Sequence, residues 1–229
     1  MTTSAAPKTS LPVAEPPAPI ADAAKPLSDR DARREAILDV AEQVFLEEGF
    51  DAASMSTIAA RVGGSKGTLY NYFRSKDDLF AAYVQRHCAW QSEAMFALLG
   101  ERTDLVATLH DLGQRHLEMV LGEDNVRRFR VITAEAERAP EIGRIFYESG
   151  PQNAARRLAA LLSDAAARGE LVIEDPLQAA HNFIALCSSR LHKARLCNFT
   201  PEPGADDIDR EVRGAVKVFL AAYRAPSPR

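Results

Sequence analysis

Apolar residues recur along this chain at steps of three and four, the period of a helix with one buried face. Ile37, Val40, Ala41, Val44 and Phe45 form such a face on a first helix. It begins near Ser28, where Ser28-Asp-Arg-Asp31 has capping-box spacing. Gly49 closes it, since a left-handed C-cap favours glycine, and Phe50 can fold back onto the last turn. A second, short helix starts at Ser54 and buries Ile58, Ala59 and Val62, and Gly63-Gly64 supplies a tight turn. The third runs from about Ser65 to Tyr72, with Leu69 and Phe73 pointing inward. Ser75-Lys-Asp-Asp78 is a second capping box, opening a helix through Leu79, Phe80, Tyr83 and Val84.

The rest reads as helix too: 105–121, 125–136, a short turn around 141–147, and 151–168 ended by Gly169. A further helix runs from Pro176 to about Leu196. Gly150-Pro151 and Asp175-Pro176 both place proline at a first helical position. Pro201-Glu-Pro-Gly204 breaks the chain, and a last helix carries the stripe Ile208, Val212, Ala215, Val216, Phe219, Leu220, Tyr223. Only Leu171-Val-Ile173 hints at strand, so the fold class is all-α. The expected organisation is a Pro/Ala-rich tail over 1–27, a helix-turn-helix domain over 28–75, a larger helical domain over 76–224, and a tail over 225–229. The first tail holds six prolines and two cations before residue 27, and it lacks the charged start and unbroken apolar stretch of a signal peptide.

Composition narrows the chemistry. The chain has 229 residues, 46% hydrophobic, and no apolar run approaching the roughly 18–20 residues that span a bilayer, so no membrane partner is expected. Three widely spaced cysteines (Cys88, Cys187, Cys197) suit a reducing, cytoplasmic setting. Net charge is −4, so binding to nucleic acid must come from a local patch. One such patch exists: from Arg61 to Lys76 the chain carries Arg61, Lys66, Arg74 and Lys76 and no acid. Two short helices joined by a Gly-Gly turn, the second polar and cationic, have the build that sets a reading helix into the major groove of DNA.

Within that segment Lys66 suits a phosphate or a guanine edge, and Thr68 and Asn71 suit base or phosphate contacts. Tyr70 offers a ring for a thymine methyl and a hydroxyl for phosphate, while Tyr72 is open to either core packing or phosphate contact. Gly67 permits close approach of the backbone to DNA, and Ser65 opens the helix beside it. Ser54, Ser56 and Thr57 sit where helix amides can hold a phosphate, although capping alone accounts for Ser54. Lys76 lies in the first turn of its helix, unfavourable for a cation; a phosphate partner or a solvated lysine both explain it. Arg30, Arg33 and Arg34 fit backbone contact and a solvated face equally. Gly63-Gly-Ser-Lys-Gly-Thr68 does not meet the GxxxxGK[ST] spacing, and no strand precedes it. Cys187, His192 and Cys197 stand five residues apart, about 140° around a helix, and His110 and His116 diverge likewise. No metal site, cofactor or catalytic residue is expected.

The run Ser65-Lys-Gly-Thr-Leu-Tyr-Asn-Tyr-Phe-Arg-Ser-Lys-Asp-Asp-Leu79, preceded by Gly49-Phe50 and Ile58-Ala59, resembles the DNA-binding signature of the tetracycline-repressor (TetR) family. Gly64 departs from it, the family often having valine there. Phe129-Arg-Val-Ile-Thr-Ala-Glu135, Pro140-Glu-Ile and Phe146-Tyr147 are similar to the AefR-like subgroup. The resemblance implies a homodimeric one-component repressor of a nearby operon, such as one for drug efflux. It would read palindromic double-stranded operator DNA and be relieved by a small, apolar or aromatic effector. It also implies an effector pocket, for which Trp90, Met95, Phe96, Met119, Phe129, Phe183 and Cys187 are candidates beside plain core packing, with His116 as polar anchor. A dimer face is expected on Ala154, Ala155, Ala159, Ala160 and Ala165–Ala167, with Leu158, Leu161, Leu162, Val216, Phe219 and Leu220.

Overall fold

A computed structural model describes residues 28–97 and 104–226; the tail expected over 1–27 and the last residues, 227–229, lie outside them. The described residues form eleven helices. Helix α1 (Asp29–Ala52) starts where the Ser28 hydroxyl accepts the Asp31 amide, and buries Ile37, Leu38, Ala41, Val44 and Phe45. Gly49 leaves helical geometry (φ 78°, ψ 170°). The chain then turns Phe50 back so that its ring lies 5.8 Å from that of Phe45. Helix α2 (Met55–Val62) ends on Gly63 in the left-handed region (φ 73°, ψ 41°), where a side chain would be strained. The Gly63 and Gly64 amides close the turn onto the Ala60 and Ala59 carbonyls.

Helix α3 (Lys66–Tyr70) is shorter than the sequence pattern suggests. The amides of Asn71 and Tyr72 bond to the third carbonyl back, Thr68 and Leu69. This tightened end brings Phe73, like Leu69, to 2% exposure inside the head. Helix α4 (Lys76–Phe96) begins with a reciprocal cap: Ser75 Oγ accepts the Asp78 amide, and Asp78 Oδ2 accepts the Arg74 amide at 2.9 Å.

Beyond it follow α5 (Leu105–Leu121), α6 (Glu123–Arg138), α7 (Pro140–Ser149), α8 (Pro151–Ala167), α9 (Pro176–Ser188), α10 (Leu191–Leu196) and α11 (Ala205–Tyr223). Two expectations are corrected here. The turn expected over 141–147 is a ten-residue helix, started by Pro140 and anchored by buried Ile142. The helix expected from Pro176 to Leu196 breaks at Ser189-Arg190, which lets Leu191 enter the core while Arg190 reaches Glu211 at 2.7 Å. Leu171 makes one isolated bridge to Arg224 and no strand. At Gly113 a Cβ would lie 2.8 Å from Val212 Cγ1, so its absence lets α5 lie against α11.

Two apolar clusters result. One joins α1–α3 to α4 as far as Cys88, with Ile132 of α6 and Ile142 of α7. The other runs from Met95 through α5, α8, α9 and α11. Helix α4 therefore belongs to both, and the head is seated on α6 and α7 by direct packing. Of the dimer face expected from sequence, Ala160 and Ala167 are exposed and Ala154, Ala159, Leu161, Ala166 and Leu220 half-buried. Ala155, Leu158, Leu162, Ala165, Val216 and Phe219 are all buried within the chain's own core. An open apolar strip of Ala185, Val218 (54% exposed) and Ala222, flanking Leu186 and Tyr223, lies along α9 and α11.

Candidate DNA-reading helix and effector cavity

Helix α3 is fixed from below and open above. The Ser65 hydroxyl accepts the Thr68 amide at 3.0 Å and lies 2.9 Å from the Thr68 hydroxyl. Leu69 and Phe73 anchor the helix, leaving Lys66, Gly67, Thr68, Tyr70 and Asn71 exposed. The Lys66 ammonium lies 5.9 Å from the centre of the Tyr70 ring, so the two side chains present one cationic, aromatic surface. Tyr72 is half-buried against the head core. At the start of α2, Ser54 accepts the Thr57 amide and shares a hydrogen bond with its hydroxyl, while Ser56 is exposed.

The four cations of this segment divide into two kinds. Arg61 is held by Glu47 at 2.5 Å and Glu48 at 2.8 Å. Lys76 donates to the carbonyls of Phe50, Asp51 and Ala53 at 2.5, 3.2 and 3.1 Å, with its ammonium 4.2 Å above the Phe50 ring. An ammonium has three donors and all three are engaged. The phosphate contact expected for Lys76 thus gives way to an internal one, in which the carbonyls beyond Gly49 offset its poor place at a helix start. The other two cations, Lys66 and Arg74, are exposed. From α1, Arg33 donates to the Val62 carbonyl at the end of α2, and Arg34 lies 5.2 Å over Phe73.

Behind the head, residues of α4 to α10 line a cavity of ≈ 220 Å³. Met95, His116, Met119 and Phe129, four of the residues expected there, line it. The other expectations fail individually. Trp90 is 46% exposed outside it. Cys187 is fully buried in the body core, its sulfur against Gly113. Phe183 packs edge-on against Phe219, and Phe96 lies beneath Arg157; both border only a small void beside the cavity.

The polar half of the lining was not expected: His87 and Gln91 of α4, Asn125 and Arg128 of α6, Ser188 of α9 and His192 of α10. Polar side chains one helical turn apart were the available signal. The Asn125 side chain gathers this group, accepting Gln91 Nε2 at 2.7 Å and lying 3.3 Å from His87 Nε2. Across the cavity His116 Nε2 lies 2.8 Å from Ser188 Oγ, and His192 meets the Phe129 ring edge-on. Burial, helped by the Arg128 charge, holds His87 down to about 3. Burial, helped by His192, holds His116 down to about 4, and burial also lowers His192. The Cys88 thiol is pushed up to about 11 by burial and stays protonated. Arg128 is therefore the one charged lining side chain among the described residues. It donates to Tyr83 Oη and Glu42 Oε1, each at 2.5 Å, and to Asn125 Oδ1.

Residues 37–83 match the family model described as bacterial regulatory proteins, tetR family, and residues 107–225 match the AefR-like transcriptional repressor C-terminal domain. The chain is 48% identical over 58 residues to the HTH-type transcriptional activator FasR of Mycolicibacterium smegmatis, covering 25% of this chain and 26% of that protein. Matches of this kind span from 26% to 46% of the curated relatives' length. Solved structures match over much more. A TetR-family regulator from Mesorhizobium loti MAFF303099 superposes with a TM-score of 0.81 at 25% identity, over 87% of this chain and all of that one. The flavonoid-responsive regulator FrrA does so with a TM-score of 0.73 at 33% identity, over 86% of this chain and all of that one. With the reading head and the C-terminal domain both matched, the second over more than half of its length, the chain belongs to the TetR family of bacterial regulatory proteins.

Proposed function

We propose that this protein is a cytoplasmic, homodimeric repressor that holds a palindromic operator near its own gene and releases it when a small molecule fills the α4–α10 cavity. The observation that carries the reading is one continuous helix, α4, packed into the head core at one end and lining the cavity at the other. Lys66, Thr68, Tyr70 and Asn71 are the base-edge and phosphate contacts, with Gly67 allowing close approach and Ser65, Ser56 and Thr57 at helix starts facing the backbone. Two such heads must stand about 34–36 Å apart, or a multiple of this, to occupy successive half-sites. A tilt of α4 of a few ångströms at the head therefore costs the second half-site. The apolar strip of Val218, Leu186, Ala222 and Tyr223 is the surface for the second copy. A cavity of about 150 Å³ is enough for benzene, so ≈ 220 Å³ suits a substituted ring system. The responsiveness of FrrA to flavonoids supports an aromatic effector here.

The test is fluorescence anisotropy with labelled DNA from the intergenic region beside the gene, at moderate salt. A saturable complex, competed by the same DNA and not by a scrambled duplex, supports the reading; its absence overturns it. A promoter fusion reads the sign of control. Transcription that falls on deletion of the gene would replace repression by activation, which the name of FasR states for that protein.

A further inference from the structure

The cavity wall and the reading head share one charged side chain. Arg128 lines the cavity from α6, is 7% exposed, and holds Glu42 of α1 through Nη2 at 2.5 Å. Glu42 is also approached from α4: Arg86 Nη2 lies 3.6 Å from its Oε2, and His87 Nδ1 lies 3.7 Å from Oε1, the oxygen that Arg128 holds. Arg86 has further carboxylates, Glu35 at 2.9 Å and Asp39 at 2.8 Å, so α1 and α4 remain tied whatever happens to Glu42. The tie from α1 to α6 through Glu42 depends on Arg128 alone among the ion pairs of that carboxylate.

Among the described residues the lining otherwise offers imidazoles, amides, hydroxyls, a thiol and apolar groups, and no carboxylate. A cationic ligand would meet the Arg128 guanidinium, which Glu42 already engages, and no carboxylate of its own among the described lining residues. An acidic oxygen would meet a guanidinium with five N–H donors, of which three are engaged. We infer that the cavity selects a ligand with a carboxylate or phenolate oxygen on an apolar body, and that this oxygen competes with Glu42 for the Arg128 charge, so that filling the cavity loosens the ion pair between α1 and α6 while their apolar packing remains. The inference rests on the ligand-relieved reading above and names both the ligand class and the contact through which relief passes. A ligand shifts an equilibrium only by its differential interaction with the two states. Here the difference is whether Arg128 faces one carboxylate or two.

The test uses the full chain and three probes sharing one ring system: 2-naphthoate, 2-naphthol and 2-naphthylmethylammonium. Calorimetry measures binding, and anisotropy measures affinity for the operator DNA with and without probe. Naphthoate should bind at least about tenfold more tightly than the ammonium, and its saturation should weaken operator binding by roughly 5- to 150-fold. Glu42→Gln, which keeps shape and hydrogen bonding, should tighten naphthoate and weaken the operator without any probe. Arg128→Met should abolish the preference among probes; Arg128→Lys, which keeps the charge, should retain it if the truncated variant unfolds. Equal binding of acid and ammonium, no binding of any probe, or a preference that survives Arg128→Met overturns the inference. If the unliganded protein binds operator and the probes fail, the inference falls and the regulator reading stands. If no specific DNA complex forms, the regulator reading falls, and calorimetry still reports the probe preference.

Discussion

Replacing Lys76 by methionine separates two accounts of the same cation. The ammonium serves three carbonyls at the end of α1, of which those of Phe50 and Ala53 are partly buried. Asp51 can return to water. Leaving a buried acceptor unsatisfied costs about 1–3 kcal/mol, and two of them bound the loss at about 2–6 kcal/mol. Partial access of water brings each toward the lower end. Removing a cation from the first turn of α4 returns about 0.3–1 kcal/mol. The methionine stem keeps much of the contact with the Phe50 ring. A net loss of about 2 kcal/mol follows, and for a chain of this size that lowers Tm by about 4–8 °C. The assay is thermal unfolding followed by circular dichroism, paired with operator binding across a salt series. An internal strut predicts the fall in Tm with an unchanged salt slope once the variant is folded. A phosphate contact predicts an unchanged Tm and a slope lower by about 1. The second pattern would refute the reasoning from the three carbonyls.

Other outcomes follow from the same geometry. Lys66→Ala and Tyr70→Ala should lose operator affinity while circular dichroism and sedimentation remain those of the parent, since both side chains lie outside the core; unchanged affinity in both removes α3 from the interface. If Lys66 touches phosphate alone, its loss lowers the salt slope by about 1 and leaves the sequence preference intact. His87 and His116 titrate in the fold at about 3 and about 4, below the ordinary histidine value near 6.5. The unfolded chain therefore takes up protons first. Stability is complete above pH ~6.5 and is lost as the pH falls toward those folded values, by up to about 1.4 kcal/mol per pH unit for each imidazole. Urea titrations between pH 7 and 5 that show no decline would contradict their neutral burial. Gly113→Ala places a methyl 2.8 Å from Val212 Cγ1. Overpacking of about 1–3 kcal/mol should outweigh the gain of about 1 kcal/mol in helix propensity, and a higher Tm would show that α11 yields.

Local chemistry made the head legible from the residues alone. Ser28, Ser54, Ser65 and Ser75 each cap the helix that their spacing announces, because a cap is an interaction across three residues. Leu69 and Phe73 are buried as their spacing requires, and exposure of Lys66 and Tyr70 follows from that anchor. The boundaries of α5 and the stripe of α11 needed nothing beyond helical period. Family likeness added the existence of a pocket and four of its lining residues, Met95, His116, Met119 and Phe129, but not the polar group around Asn125 and Arg128.

What the sequence by itself determined is most of the helices, though not α7 or the break between α9 and α10, together with the serine caps of the head and one carboxylate-free helix held outward by a pair of apolar side chains; these depend on neighbours within a turn or two. Only the tertiary structure decided which polar groups meet. Arg128 finds Glu42 across 86 positions of sequence, Lys76 finds Phe50 across 26, and Leu158 and Phe219 turn inward where an interface was expected. The physical reason is that helical period says which face of a helix is apolar, and not which apolar face meets its own chain, a second copy or a cavity. That choice belongs to the packing of all the helices at once.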